Sequence, residues 1–187
     1  MRDLIISEFI TLDGVIEAPG GEATHPHTGW TIDFFTDEQL QYKLDEVLEA
    51  EALLLGRVTY EGFAEAWPPR EGPFADKMNA MPKHVASTTL TELGWNNSTL
   101  VEGDASAAVA ALKRGDGGPI LVAGSDTLAH TLIEHDLVDE FRLMVFPVIL
   151  GSGTRLFPQS SDKRTLQLVH TQQFPTGAVA QHYRPAA

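Results

Sequence analysis

The sequence predicts an α/β fold: a mixed sheet, parallel at its centre and antiparallel toward its C-terminal edge, flanked by helices. Three observations predict it. Short apolar runs alternate with helical patterns through about residue 135. Two of those runs, "ALLLG" at 52–56 and "PILVAG" at 119–124, end in a glycine that hands over at once to a helix. After residue 135, three strand-like segments follow one another with no helical pattern between them. Strand–helix alternation builds a parallel sheet by crossover connections, whereas consecutive strands pair back antiparallel.

Each element has a local reason. "RDLIISEFI" reads as an opening strand, and "TLDGVIEAPGG" turns out of it. Thr36 is placed as an N-cap with Gln39 as its capping-box partner. Leu40, Leu44, Val47 and Leu48 then recur at helical spacing to about Glu49. "ALLLG" is too short and too uniformly apolar for a surface strand, so it is expected to be buried on both faces. "TYEGFAEAW" (59–67) continues as helix until Pro68-Pro69 stops it. "KHVAST" (83–88) and "STLVEG" (98–103) are further short strands. Asp104 caps an alanine-rich helix that closes on Lys113, Arg114 and Gly115, residues that suit a helix C-terminus. "PILVAG" is a buried strand, and "SDTLAHTLIEH" a helix. "DEFRLMVFPVIL", "TLQLVHTQQF" and "AVAQHYRP" complete the strand-rich end.

Length and composition bound the function. A chain of 187 residues reads most simply as one domain, 1–187, with a core of its own. No apolar run approaches the roughly 20 residues of a membrane helix, and the N-terminus lacks a signal-peptide pattern. A cytoplasmic protein with no membrane partner is expected. The absence of cysteine excludes disulfides, thiolate metal sites and thiol nucleophiles. Thirteen basic against 26 acidic residues give a net charge of −13, with the cations scattered, so no nucleic-acid partner is expected. An anion would have to be held by local donors against an unfavourable global field, which draws attention to Arg57.

The two strand–glycine–helix junctions are the most informative features. A helix start exposes unpaired N–H groups, and glycine lets a phosphate approach the backbone. Gly56, Arg57 and Thr59 add a cation and a hydroxyl at the first junction, and Gly124, Ser125 and Thr127 add two hydroxyls at the second. Taken singly, each junction also reads as a plain turn with a solvated arginine or a serine N-cap. Together, in one sheet, they read as two sides of a phosphate crevice at the carboxyl ends of parallel strands. Ser87 and Thr88 suit either a phosphomonoester or a turn that bonds its own backbone. His25-Pro26-His27 has an H-x-H look without a third ligand at a recognisable spacing, so no metal is expected. No G-x-S-x-G elbow supports a serine hydrolase. Asp13-Gly14 reads as a turn near the same strand ends, and Trp30, Phe34 and Tyr60 as core residues or as walls for a planar ring.

"LDGVI", "LLLGRVTYE", "KHVASTTL", "ILVAGSDTLAHTLIEHDLVDE" and "FPVILGSGTRLF" occur in the order found in the dihydrofolate reductase-like superfamily. More closely, the chain resembles the C-terminal reductase domain of bifunctional riboflavin-biosynthesis proteins (RibD) and their stand-alone bacterial relatives, from Leu4 to about Tyr183. The resemblance implies a mixed eight-stranded sheet, NADPH as cofactor, and a homodimer through the C-terminal strands. It places Gly56, Arg57 and Thr59 at the cofactor phosphates and nicotinamide side. Ser87 and Thr88 fall near the adenosine 2′-phosphate, and Gly124, Ser125, Thr127 and Leu128 at the pyrophosphate. Four departures accompany it. The deaminase signature of the bifunctional proteins is absent, Ser125 replaces the second glycine of a Gly-Gly pair, and no cluster suits a substrate ribose phosphate. The first-helix carboxylate of folate reduction aligns with Leu40, with Asp37 and Glu38 close by.

The expected function is therefore an NADPH-dependent reductase that transfers hydride to a C=N or C=C bond of a small heterocycle, pyrimidine- or pterin-like. Asp13 is placed near the proton-transfer step, and Trp30, Phe34 and Tyr60 at the substrate. The alternative is a dimeric dinucleotide-binding protein without turnover.

Overall fold

The computed structural model describes residues 1–157 and 163–186. Eight strands form one sheet: β1 Leu4–Thr11, β2 Ala52–Gly56, β3 Lys83–Ala86, β4 Ser98–Val101, β5 Ile120–Ala123, β6 Glu140–Phe146, β7 Leu166–Gln173 and β8 Val179–Pro185. Their spatial order is β4-β3-β2-β5-β1-β6-β8-β7. Strands β1 to β6 pair parallel to their neighbours, and β8 runs antiparallel to both β6 and β7. The sheet is thus mixed, with its parallel part in the middle and its antiparallel pairs at the C-terminal edge, as the sequence predicts.

Among the described residues, five α-helices cover the sheet: α1 Asp37–Glu49, α2 Arg57–Ala66, α3 Pro73–Ala80, α4 Ala105–Arg114 and α5 Asp126–Glu134. Strand alternation sorts them between the two faces. Ile5, Leu53 and Leu55 pack with Val47, Tyr60 and Met78 of α1, α2 and α3. Leu4, Ile6 and Leu54 point the other way, onto Val109 of α4 and Leu128, Leu132 and Ile133 of α5. The continuous apolar run of β2 follows from this, because both of its faces are covered. A third cluster, around Phe146 and Phe174, closes the antiparallel end against Trp30.

The caps form where the sequence places them. Thr36 accepts a hydrogen bond from the Gln39 N–H, and the Asp104 side chain accepts from the Ala107 N–H. Two boundaries differ from expectation. Strand β6 stops at Phe146 because Pro147 has no N–H to continue a ladder. Helix α3 has no counterpart in the periodicity reading; Gly72 caps it, and Pro73 occupies its first turn, where a missing N–H costs nothing.

Lys83 is a charge deep in the β2–β3 side of the core, with no solvent exposure. Burial pushes its ammonium down to about 8. The carbonyls of Asn79, Met81 and Asn96 accept its protons at 2.8 to 2.9 Å, and it lies 4.3 Å from the centre of the Trp95 ring. The side chain ties the end of α3 to the loop before β4.

Candidate functional site

Parallel strands leave a crevice at their carboxyl ends where crossovers depart in opposite directions. Here β1 runs on past its pairing with β5, which ends at Ser7–Ala123. The connections from β1 to β2 and from β5 to β6 leave to opposite sides. A crevice of about 1200 Å³ opens at that point. This exceeds the roughly 300–1,000 Å³ of most small-ligand pockets, so it has room for a dinucleotide and a second small molecule.

Both glycine junctions border the crevice and are stapled to each other. The Gly56 N–H donates to Ser125 Oγ at 2.9 Å, and the Ser125 N–H donates to Thr59 Oγ1 at 2.9 Å. The approach is close: a Cβ added at Gly124 would sit 3.1 Å from Thr59 Oγ1, and one at Gly56 would sit 3.4 Å from Ser125 Cβ. Gly124 and Ser125 both take left-handed backbone, at φ 59° and 66°. For Ser125 this conformation costs roughly 1 kcal/mol relative to glycine. The turn brings the starts of α2 and α5 together at the crevice. The first-turn N–H groups of α2 and α5 add their dipoles beside it.

All nine residues assigned to the cofactor in sequence border this crevice: Gly56, Arg57, Thr59, Ser87, Thr88, Gly124, Ser125, Thr127 and Leu128. Their local bonds qualify the assignment. Arg57 is half exposed and pairs with Glu61 at 2.9 Å. Ser87 Oγ accepts from the N–H groups of Thr89 and Leu90, which is the self-bonded turn. Asp126 also borders the crevice and accepts the Thr127 N–H at 2.7 Å.

Asp13, Trp30, Phe34 and Tyr60 lie elsewhere. Asp13 latches two loops, accepting from the Thr11 hydroxyl at 2.7 Å and from the N–H groups of Gly151 and Leu150 at 2.8 and 3.2 Å. The Thr11 hydroxyl and these backbone donors hold its carboxyl below the usual value. Trp30 and Phe34 pack edge-on against Phe146, and the Trp30 indole N–H donates to the Glu17 carbonyl. Tyr60 is buried, its hydroxyl accepting the Trp95 N–H at 3.0 Å. The aromatic rings that do border the crevice are Phe9, Phe63, Trp67 and Phe74.

The crevice also holds a polar group that periodicity does not reveal. Glu46 Oε1 accepts from Ser7 Oγ at 2.6 Å and from the Lys43 ammonium. A carboxylate does therefore reach the crevice from the first helix, at Glu46 rather than at Asp37, Glu38 or the position of Leu40. Glu8, on the opposite face of β1, is 5 % exposed. Burial pushes its carboxyl up to about 8; Lys43 and the Gly124 N–H oppose the rise, while Asp126 and Glu46 add to it. Glu8 Oε1 and Glu46 Oε2 are buried and have no hydrogen-bond partner among the described residues. One signal for Glu8 was present in the sequence: an acidic residue in the middle of a mostly apolar strand.

The family model described as the RibD C-terminal domain matches residues 2–180. The chain belongs to that family. It is 31% identical over 183 residues to the uncharacterized protein YyaP of Bacillus subtilis (strain 168), covering 95% of this chain and 92% of that one. The structure superposes with a TM-score of 0.70 on a putative riboflavin biosynthesis protein from Shewanella sp. PV-4, at 19% identity and full coverage of both chains. It superposes with a TM-score of 0.63 on dihydrofolate reductase from Enterococcus faecalis, solved with NADP(H) and RAB-propyl, at 15% identity over 99% of this chain and 97% of that one. The fold is dihydrofolate reductase-like. Membership in the RibD C-terminal family supports an oxidoreductase of this type. Among the described residues, no helix is long and apolar enough to cross a membrane.

Proposed function

We propose that the protein is an NADPH-dependent reductase, a single domain over 1–187, that reduces a C=N or C=C bond of a small heterocyclic substrate. The observation that carries this reading is the pair of glycine junctions, bonded to each other at the carboxyl ends of β2 and β5 and facing one crevice. The donor set fits a dinucleotide. The first turns of α2 and α5 offer N–H groups to a pyrophosphate, with Arg57 supplying charge. Ser87 and Thr88 offer hydroxyls at the far side for a 2′-phosphate. A bound dihydronicotinamide supplies hydride to the acceptor carbon. The chain itself orients the partners, excludes water and manages the proton.

The wall formed by Phe9, Phe63 and Trp67 suits a planar ring, and the carboxyl groups of Glu8 and Glu46 suit its polar edge. Against the alternative of a dinucleotide-binding protein without turnover stands this equipment: cofactor binding alone needs no buried, unpartnered carboxyl group. We further propose a cytoplasmic homodimer that pairs through the exposed edge strand β7, since an uncovered edge is a template for association. Screening imine- and enone-containing pyrimidines and pterins for NADPH oxidation, followed by absorbance, tests the reading. Turnover of at least one ring class is expected; tight NADPH binding with no turnover across the panel would favour the alternative.

A further inference from the structure

Glu8 is an enclosed acid at the crevice, and burial pushes its carboxyl up to about 8. The other described carboxyl groups that border the crevice each accept at least one hydrogen bond, although Glu46 Oε2, like Glu8 Oε1, is buried without a partner. Glu46 is held as an acceptor by Ser7 and the Lys43 ammonium. Glu17 is held low by the Thr154 N–H. Asp126 is exposed and accepts the N–H of its own helix start. The charges of Lys43 and Glu46 on α1 and of Asp126 on α5, with the Gly124 N–H, act on Glu8, yet one of its oxygens has no partner among the described residues. A buried oxygen without a partner is costly unless a ligand completes it.

Resting on the reductase reading, we propose that Glu8 is the proton donor of the reaction. It gives its carboxyl proton to the atom of the substrate double bond next to the carbon that receives hydride. The acceptor's π bond breaks; its carbon takes hydride, with two electrons, from the dihydronicotinamide cofactor, which is thereby oxidised. Its other atom takes the Glu8 proton, and the Glu8 carboxylate regains one from solvent through the open crevice. The elevated value of about 8 keeps the donor loaded through neutral pH.

The first test needs neither cofactor nor substrate. Protein labelled with 13C at the glutamate carboxyl carbon is titrated by NMR, and Glu8→Gln assigns the resonance. One carboxyl titrating near pH 8 and absent from Glu8→Gln is expected. If all glutamate carboxyls are ionised by pH 6, the proposal is overturned whatever the activity. In the second test, Glu8→Gln, which keeps shape and hydrogen-bonding capacity, should lower kcat by 100-fold or more. It should also abolish the fall in kcat above about pH 8, while NADPH affinity stays within twofold. Wild-type turnover matched by Glu8→Gln removes Glu8 and leaves the reductase intact. Failure of the wild type to bind NADPH removes the reductase reading itself.

Discussion

Replacing Ser125 with alanine, and separately with glycine, tests whether the two glycine junctions form one unit. Ser125 contributes two opposed effects. Its hydroxyl accepts the Gly56 N–H at 2.9 Å, and its own backbone sits in the left-handed region at φ 66°. Alanine removes the hydroxyl and keeps the backbone strain. The Gly56 N–H then loses its acceptor at a half-buried site that water can partly reach, a cost of about 1 kcal/mol. Glycine removes the same hydroxyl but relieves roughly 1 kcal/mol of left-handed strain, so its net effect is near zero. In a chain of this size, 1 kcal/mol corresponds to roughly 2–4 °C in Tm. Urea unfolding followed by fluorescence, with ΔG extrapolated to water, measures both variants. Thr59→Val, which deprives the Ser125 N–H of its acceptor, should couple to Ser125→Ala by about 0.5 kcal/mol or more. Equal destabilisation by alanine and glycine would refute the strain argument. Additivity with Thr59→Val would refute the staple.

Glu8 also sets a pH dependence of stability. Its folded value of about 8 lies above the ordinary 4.5, so its contribution is fully present below about pH 4.5 and is lost as pH rises through about 8. The loss reaches up to about 5 kcal/mol at 1.36 kcal/mol per pH unit. Glu8→Gln should therefore flatten stability across that window and be the more stable form at pH 9; a wild-type profile that already lacks the slope contradicts this. Lys83→Met leaves three carbonyls, that of Met81 buried, without their donor and should cost about 3 kcal/mol. A thermal melt within 2 °C of wild type would show that the ammonium contributes nothing. Arg57→Ala should weaken NADPH binding by about 1–2 kcal/mol, roughly 5- to 30-fold in Kd, because only a weak exposed pair with Glu61 is given up to reach a phosphate. Unchanged affinity would leave Arg57 as a solvated residue.

Much of the frame was legible because it is written in local chemistry. The Thr36–Gln39 and Asp104–Ala107 caps, the all-apolar run of β2 and the glycines at 56 and 124 each state a backbone requirement that sequence spacing can carry. The crevice was less legible because its lining depends on which way side chains point once distant elements meet. Trp30 and Tyr60 are expected at the substrate from the sequence, but they face Phe146 and Trp95 rather than the cavity, a direction that periodicity does not report. Asp13 lies close to the crevice in sequence terms, yet the N–H groups that occupy it come from residues 150 and 151. Glu46 and Lys43 are two ordinary charges on an amphipathic helix until Ser7 of β1 is brought against them. Glu8 was not singled out among the 26 acidic residues, because its meaning depends on burial that no spacing rule reports.

The central claim is that Gly56-Arg57 and Gly124-Ser125 together hold an NADPH pyrophosphate. The most direct measurement is a titration of the purified protein with NADPH and NADH, followed by tryptophan quenching; Trp67 borders the crevice and serves as reporter. Saturable binding that prefers NADPH is the predicted result. No saturable binding of either nucleotide would contradict the account and reduce both junctions to turns.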